Sequence, residues 1–167
     1  MRVSREQTAP VTPEKAFDRL QAFLAGRRSS KEPCTDMECF ERELHECLVA
    51  TEREGLAEEL ARLDVDLPAV TIEGELYRQV VRCEESYVSA AGPVRVMRSL
   101  YRRGGEGERT VCPLELRAGM VEERWTPLAA RQAAFVVAHL TPQEGEDLFR
   151  ELGNRDYMDV MLWGGTG

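Results

Sequence analysis

The spacing of hydrophobic residues changes twice along the chain. Apolar residues recur every three to four positions through residues 13–63, alternate with polar neighbours from Val70, and return to helical spacing after Thr126-Pro127. The first and last patterns indicate amphipathic helices, and the middle one indicates half-buried strands. The chain therefore predicts an α+β fold with an N-terminal helical pair, a small antiparallel β-meander and two short C-terminal helices.

Start and stop signals place the two N-terminal helices. Thr12-Pro13-Glu14 combines a capping residue, a proline suited to the first helical position and an acid, so the first helix is expected to begin there and to end at Gly26. Asp36 is a suitable N-cap for a longer second helix from about Met37 to Leu63. Leu67-Pro68 then ends the helical pattern.

Turn residues divide the middle of the chain into short strands. Ala90-Ala91-Gly92-Pro93 and Gly104-Gly105-Glu106-Gly107 are both turn signals, and Thr110-Val111-Cys112 is expected to start another strand. A meander of two to four strands follows from this spacing. Such a sheet needs helices over one face to be stable.

The C-terminal third opens two further helices and ends in a segment of different character. Thr126-Pro127 begins one helix, Thr141-Pro142-Gln143-Glu144 repeats the signal, and Gly153-Asn154 ends the second helix, as in the first half of a helix-turn-helix. The predicted segments are disordered residues 1–12, a helical lead-in over 13–66, the β-meander over 70–124, an incomplete helix-turn-helix over 125–154, and an unrelated tail over 155–167.

Charge restricts the classes of partner. The chain carries 22 basic and 30 acidic side chains, a net charge of −8, which disfavours nucleic-acid binding by the whole surface. Residues 76–124 are the exception, with a net charge of +2. No apolar run is long enough for a membrane span, and the N-terminus lacks the apolar core of a secretory signal, so we expect a cytoplasmic protein without membrane contact.

The five cysteines are expected to be reduced thiols, since their number is odd and no secretory signal is present. Cys34, Cys39, His45 and Cys47 are close enough in sequence to suggest a zinc cluster. The last three fall on one predicted helix at offsets that do not converge. Buried small hydrophobic side chains are the simpler interpretation, and we predict no metal site.

Recognisable catalytic motifs are absent from the sequence. There is no phosphate-binding G-x-x-x-x-G-K-[ST] loop and no G-x-S-x-G nucleophile motif. Neither His45 nor His139 lies next to a serine or cysteine in a nucleophile motif. We predict no catalytic residue, no cofactor and no small-molecule substrate.

Basic residues in the second half of the meander are the candidate binding site. Arg95, Arg98, Arg102 and Arg103 lie within nine positions and are the predicted DNA-binding residues. Arg95 and Arg98 fall on opposite faces of a regular strand, so a twist or bulge near Ser99 would be needed to bring the four together. A solvated hairpin edge protected by charge explains the same residues and is the simpler alternative.

Just over half of the chain, residues 70–154, resembles the amino-terminal region of bacterial insertion-sequence transposases of the Kra type. The resemblance is carried by the segments RCEESY (82–87), AAGPVRVMRSLYR (90–102), CPLELRAGMVE (112–122), WTPLAARQAAFVVAHLTPQE (125–144) and LFRELGN (148–154). It implies a DDE transposase whose RNase-H-like catalytic domain, with carboxylates that bind two divalent metals, follows this region. No acid in this chain matches those catalytic motifs, so no catalytic residue is carried over.

The sequence departs from the family in two ways. Related front ends carry C-x-x-C pairs that form a zinc ribbon, whereas Cys83 and Cys112 stand alone here. The family continues after Leu152-Gly153-Asn154 into a Ser/Thr-rich recognition helix, whereas Arg155 begins the unrelated tail. We therefore expect sequence-specific DNA binding to be weak or lost.

These observations favour a truncated or frameshifted N-terminal transposase fragment that is not an enzyme and makes weak DNA contacts. The alternative is a small non-enzymatic interaction protein that uses the long acidic helix. In that case the helices over residues 13–63 mediate homo-oligomerisation.

Overall fold

The computed structural model describes residues 15–104 and 109–153. Its elements, in chain order, are α1 (Ala16–Ser29), α2 (Met37–Leu63), β1 (Ala69–Ile72), β2 (Glu75–Ser89), β3 (Gly92–Arg102), α3 (Pro113–Ala118), α4 (Pro127–His139) and α5 (Pro142–Gly153). The predicted α+β class and the order of helices, antiparallel meander and helices are confirmed. The start signal at residues 12–14, the predicted disorder over 1–12 and the tail over 155–167 lie outside the described residues.

The chain divides into two compact units, Met1–Thr51 and Glu52–Gly167. The division falls within α2, whereas the sequence suggested a boundary near residue 66. The second half of α2 therefore belongs to the unit that contains the sheet.

The first unit contains α1 and the beginning of α2. The rings of Phe23 and Phe40 stack with centroids 5.6 Å apart, and the Arg27 guanidinium lies 5.6 Å from the centre of the Phe40 ring. The N-cap predicted for α2 is confirmed, because Asp36 Oδ1 accepts a hydrogen bond of 2.9 Å from the Cys39 N–H.

The predicted end of the first helix at Gly26 is wrong, because α1 continues to Ser29. An interior glycine weakens a helix by about 1 kcal/mol but does not forbid it. Arg27 and Arg28 lie in the last turn, where cations interact favourably with the helix dipole.

The second unit is built on a three-stranded antiparallel sheet in the order β1-β2-β3. The predicted turn joins β2 to β3 and positions Ser89 opposite Gly92. Gly92 has a φ of 99°, and a Cβ there would lie 2.5 Å from an Arg53 terminal nitrogen. The positive φ therefore favours glycine, and a side chain there would also displace the end of the Arg53 side chain.

A β-bulge interrupts the pairing of β2 with β3. Gln79 lies opposite Tyr101 and Val81 lies opposite Leu100, so Val80 is an extra residue on β2. The bulge lies near Ser99, where one would be needed to gather the four arginines, but it is on the neighbouring strand. The alternation of β3 itself is therefore undisturbed.

The main core lies on one face of the β2–β3 hairpin. Tyr87, Val94 and Val96 are buried there together with Leu60 of α2 and Leu114 of α3. Farther along β3 the buried side chains are on the other face of the strand. Ser99 and Tyr101 are inaccessible to solvent there. On that side the Tyr101 hydroxyl donates to a backbone carbonyl of the segment after α2, with Leu67 O at 2.9 Å.

The prediction that the meander continues to residue 124 is wrong, because α3 forms over Pro113–Ala118. Val111 makes an isolated bridge with Tyr101 and no further strand follows in the described residues. Pro113 suits the first helical turn, and Gly119 ends the helix in the left-handed conformation with a φ of 65°. Burial of Leu114 holds this short helix against the sheet.

Candidate nucleic-acid interface

The four arginines predicted to bind DNA are not gathered on one surface. Arg98 and Arg102 share the face of β3 that also carries Val94 and Val96, whereas Arg95 lies on the opposite face, as alternation requires. Arg103 follows the last residue of the strand. Because the extra residue of the bulge is on β2, it does not rotate Arg95 towards Arg98.

Arg98 is engaged in an internal ion-pair network. Its guanidinium bonds to the carboxylates of Glu115 and Glu85, and the Tyr87 hydroxyl donates to Glu115 Oε1 over 2.9 Å. The side chain of Arg98 is 16% exposed and that of Glu115 is 9% exposed. This geometry uses the charge of Arg98 to neutralise a buried carboxylate.

Burial also changes the acidity of two groups beside this network. Loss of solvent around the Tyr87 hydroxyl, with its hydrogen bond to Glu115, raises the pKa of Tyr87 well above its ordinary value. Burial likewise raises the pKa of the Cys112 thiol. Both groups are therefore held in their neutral forms at physiological pH.

Arg102 is part of a pair of arginines that the register of the sheet creates. Arg78 of β2 lies directly opposite Arg102 of β3, and like charges in that position destabilise a sheet. Neither makes an ion pair to a described carboxylate, and the Nε of Arg102 is buried without a hydrogen-bond partner. The two adjacent guanidinium groups therefore have no carboxylate partner among the described residues.

Arg103 comes directly after Arg102 in the chain and is ion-paired with Glu75. Its terminal nitrogen is 3.9 Å from a carboxylate oxygen of Glu75, at the outer limit of an ion pair, and both side chains are at least half exposed. Such a contact contributes little to stability and exchanges readily with solvent. We refer to Arg78, Arg102 and Arg103 as the arginine end of the hairpin.

Arg78 was not among the predicted site residues. It precedes Arg102 by 24 positions, and a cluster defined by proximity in sequence cannot include it. The signal that could have found it is the alignment of β2 with β3, but the bulge at Val80 shifts that alignment by one residue. Simple counting back from the turn therefore fails to pair Arg78 with Arg102.

A separate cleft of about 390 Å³ lies beside α3, lined by residues that include Arg109, Cys112, Glu115 and Glu123. Arg109 is ion-paired with Glu123 at its edge. Within residues 15–104 and 109–153, no group of three or more His, Cys, Asp or Glu side chains is arranged to hold a metal ion. No helix in the described part of the chain is long and apolar enough to cross a membrane.

Comparison with known proteins gives no match to a family model, to a curated protein or to a solved structure.

Proposed function

We propose that this chain is the non-catalytic amino-terminal part of an insertion-sequence transposase of the Kra type, and that it contacts the DNA backbone through the arginine end of the hairpin. The observation that carries the DNA contact is the direct pairing of Arg78 with Arg102. The net charge of +2 over residues 76–124 supports the same location. The transposase assignment rests on the resemblance of residues 70–154.

Phosphate is the ligand that best fits this surface. Guanidinium groups present donors in a planar fork that matches phosphate oxygens. A phosphate bound between the Arg78 and Arg102 guanidinium groups would remove the repulsion between them. Contacts to phosphate position a protein on DNA without reading the base sequence. We therefore expect weak, sequence-independent binding.

The proposal assigns no chemistry to this chain. In the resembled family the divalent metals belong to the RNase-H-like domain, so the role of this part is to bind DNA rather than to cleave it. All five cysteines are free thiols in the structure, which suits a reducing compartment, and we propose a cytoplasmic location.

Substitution of the arginine pair tests the proposal. Arg78→Gln and the double variant Arg78→Gln/Arg102→Gln should weaken binding to a short DNA duplex in a low-salt gel shift, because each removes a phosphate contact. Arg42→Gln is the matched control, since it removes the same charge from α2 and Arg42 is already paired with Glu38 at 2.6 Å. Equal binding by all four proteins would refute the assignment of this surface.

A second candidate function is self-association through the helices of residues 13–63. The observation that favours it is that α1 buries none of its residues, while Phe17, Met37 and Leu48 are each about half exposed. A helix of this length is marginal without a packed face. A second copy could supply that face, as in a small interaction protein.

Sedimentation velocity over a range of protein concentrations tests the second candidate. Self-association predicts a species larger than the monomer that Leu48→Glu dissociates, because a charge would be buried in the contact. Leu116→Glu is the control, since Leu116 is an exposed leucine on α3. A monomer at every concentration would exclude this function.

A further inference from the structure

The central strand of the sheet has one edge that is paired at both ends and open in the middle. β2 has 15 residues, and β1 pairs with its first part over Glu75–Arg78. At the other end, the Val88 N–H donates to Arg124 O and Val88 O accepts from the Thr126 N–H, each over 2.9 Å. No described strand pairs with this edge between those two contacts. We call residues 80–87 the open edge.

The backbone groups that face outward along the open edge can be identified from its two ends. The Gln79 N–H donates away from β3, to Pro68 O at 3.0 Å, and Val88 bonds away from β3 as well. Because outward and inward residues alternate in an antiparallel ladder, Arg82, Glu84 and Ser86 present their N–H and C=O groups outward. The side chains of these three residues are exposed.

The outward groups of Arg82 and Glu84 make no backbone hydrogen bond to a described residue outside the sheet. The Ser86 N–H is partly satisfied, since it donates over 3.2 Å to the carboxylate of its neighbour Glu85. The open edge is thus a short template for one more strand.

We propose that the open edge binds an extended, basic peptide segment of another protein as an added β-strand. This inference is independent of the proposed DNA contact. In this mode main-chain hydrogen bonds supply affinity, and side chains next to the edge select the sequence. Binding would complete the sheet between β1 and the segment 124–126.

The length of the open edge argues against a second copy of β2 as the occupant. At roughly 3.3 Å per residue the eight positions span about 26 Å. A whole β2 strand is nearly twice as long as this opening. Its ends would run into β1 on one side and the residues bonded to Val88 on the other. A short segment that enters and leaves between these contacts fits.

Charge along the open edge selects a basic segment. Within the open edge the charged side chains are those of Arg82, Glu84 and Glu85, and Asp66 lies next to Arg82. Arg82 lies 3.5 Å from Asp64 and 3.2 Å from Asp66, and Arg98 is paired with Glu85 and Glu115. The exposed Arg95 is on β3, across β2 from the opening. Glu84 is exposed and makes no described ion pair, so a lysine or arginine opposite it in the added strand would gain a partner.

Amide hydrogen exchange on the full chain, with and without a peptide probe, tests the inference. The probe is a synthetic peptide of about six residues with alternating lysine and valine, which matches the side-chain period of a strand. Without the probe, the amides of Arg82 and Glu84 should exchange much faster than those of Cys83 and Glu85, which bond to β3. With the probe, the Arg82 and Glu84 amides should become protected.

Two controls separate strand addition from attraction between charges. The same peptide with N-methyl groups on alternate residues keeps its charge but loses the N–H groups that would bond to the open edge. It should give no protection of the Arg82 and Glu84 amides. Glu84→Lys should weaken binding of the unmodified peptide by roughly tenfold, since like charges across a strand pair repel. Glu151→Lys makes the same change of charge on α5, where Glu151 is exposed, and should bind as the original chain does.

Two results would overturn the inference. Absence of protection with the unmodified peptide would show that the charged side chains of the open edge serve to block strand addition. Equal protection by the N-methylated peptide would show that the contact is electrostatic and does not extend the sheet.

Discussion

At the scale of single residues, the network around Glu115 shows how one buried charge determines the role of its neighbours. Glu115 is satisfied by Arg98 and by the Tyr87 hydroxyl, which donates over 2.9 Å. Removing one partner from a buried charge costs more than the contact itself contributes. Arg98 therefore serves the core of the second unit rather than the surface that its sequence position suggested.

Tyr87→Phe should destabilise the chain and change its response to alkaline pH. Loss of a hydrogen bond to a charged group costs about 1.5–3 kcal/mol. Because the pKa of Tyr87 is raised in the folded state, its contribution is complete below the ordinary tyrosine value of about 10 and is lost as pH rises above it. In the variant this part of the alkaline loss should disappear.

Urea titrations from neutral pH to above pH ~10 measure this effect on the free energy of unfolding. The Cys112 thiol also has a raised pKa, so some alkaline loss should remain in Tyr87→Phe. An unchanged slope of stability against pH above the tyrosine range would contradict the account of Tyr87.

Local signals in the sequence identified individual residues well, and contacts between distant residues less well. The cap at Asp36 and the helix start at Thr141-Pro142-Gln143-Glu144 involve neighbours in the chain. In the structure Asp36 caps α2, and Thr141 forms a capping box with Glu144 at the start of α5. The pairs Arg98–Glu115 and Arg78–Arg102 depend on the packing of α3 and on a bulge. No periodicity within a short window contains that information.

At the scale of elements, α4 and α5 approach closely through a glycine. A Cβ on Gly145 of α5 would lie 2.6 Å from Val136 Cγ1 of α4, and Val136 is 9% exposed. A side chain at residue 145 would therefore force the Val136 side chain or the helices themselves to shift. The glycine thus permits the close spacing of α4 and α5.

Gly145→Ala should therefore destabilise the chain, by about 1–3 kcal/mol if the overpacking is typical. Gly55→Ala is the matched control, because Gly55 lies within α2 and has open space around its Cα. There the same substitution should stabilise by about 1 kcal/mol, the difference in helix propensity. Thermal unfolding of both variants gives the comparison, and the same sign for both would contradict the proposed close approach.

The elements were predictable where a pattern was long enough to be read. α2 spans 27 residues and was located from its cap and its apolar spacing. α3 has six residues, fewer than two helical turns, and the β-branched Thr110 and Val111 before it favoured a strand. α1 passed its predicted end because one interior glycine costs only about 1 kcal/mol, and Arg27 and Arg28 interact favourably with the helix dipole in the last turn.

At the scale of the whole molecule, a net charge of −8 coexists with a local concentration of arginine. The net charge opposes association with DNA over long distances, whereas Arg78, Arg102 and Arg103 favour it at one place. We therefore expect DNA binding that weakens as salt increases, with a slope set by the small number of phosphate contacts.

The salt dependence of DNA binding tests the central claim most directly. Fluorescence anisotropy would follow a labelled duplex bound by the original chain, by Arg78→Gln/Arg102→Gln and by Arg42→Gln over a series of salt concentrations. The slope of log K against log salt should fall by about 0.9 for each phosphate contact removed. The account predicts a smaller slope in the double variant and an unchanged slope in Arg42→Gln. Identical slopes in all three proteins would contradict DNA binding at the arginine end of the hairpin.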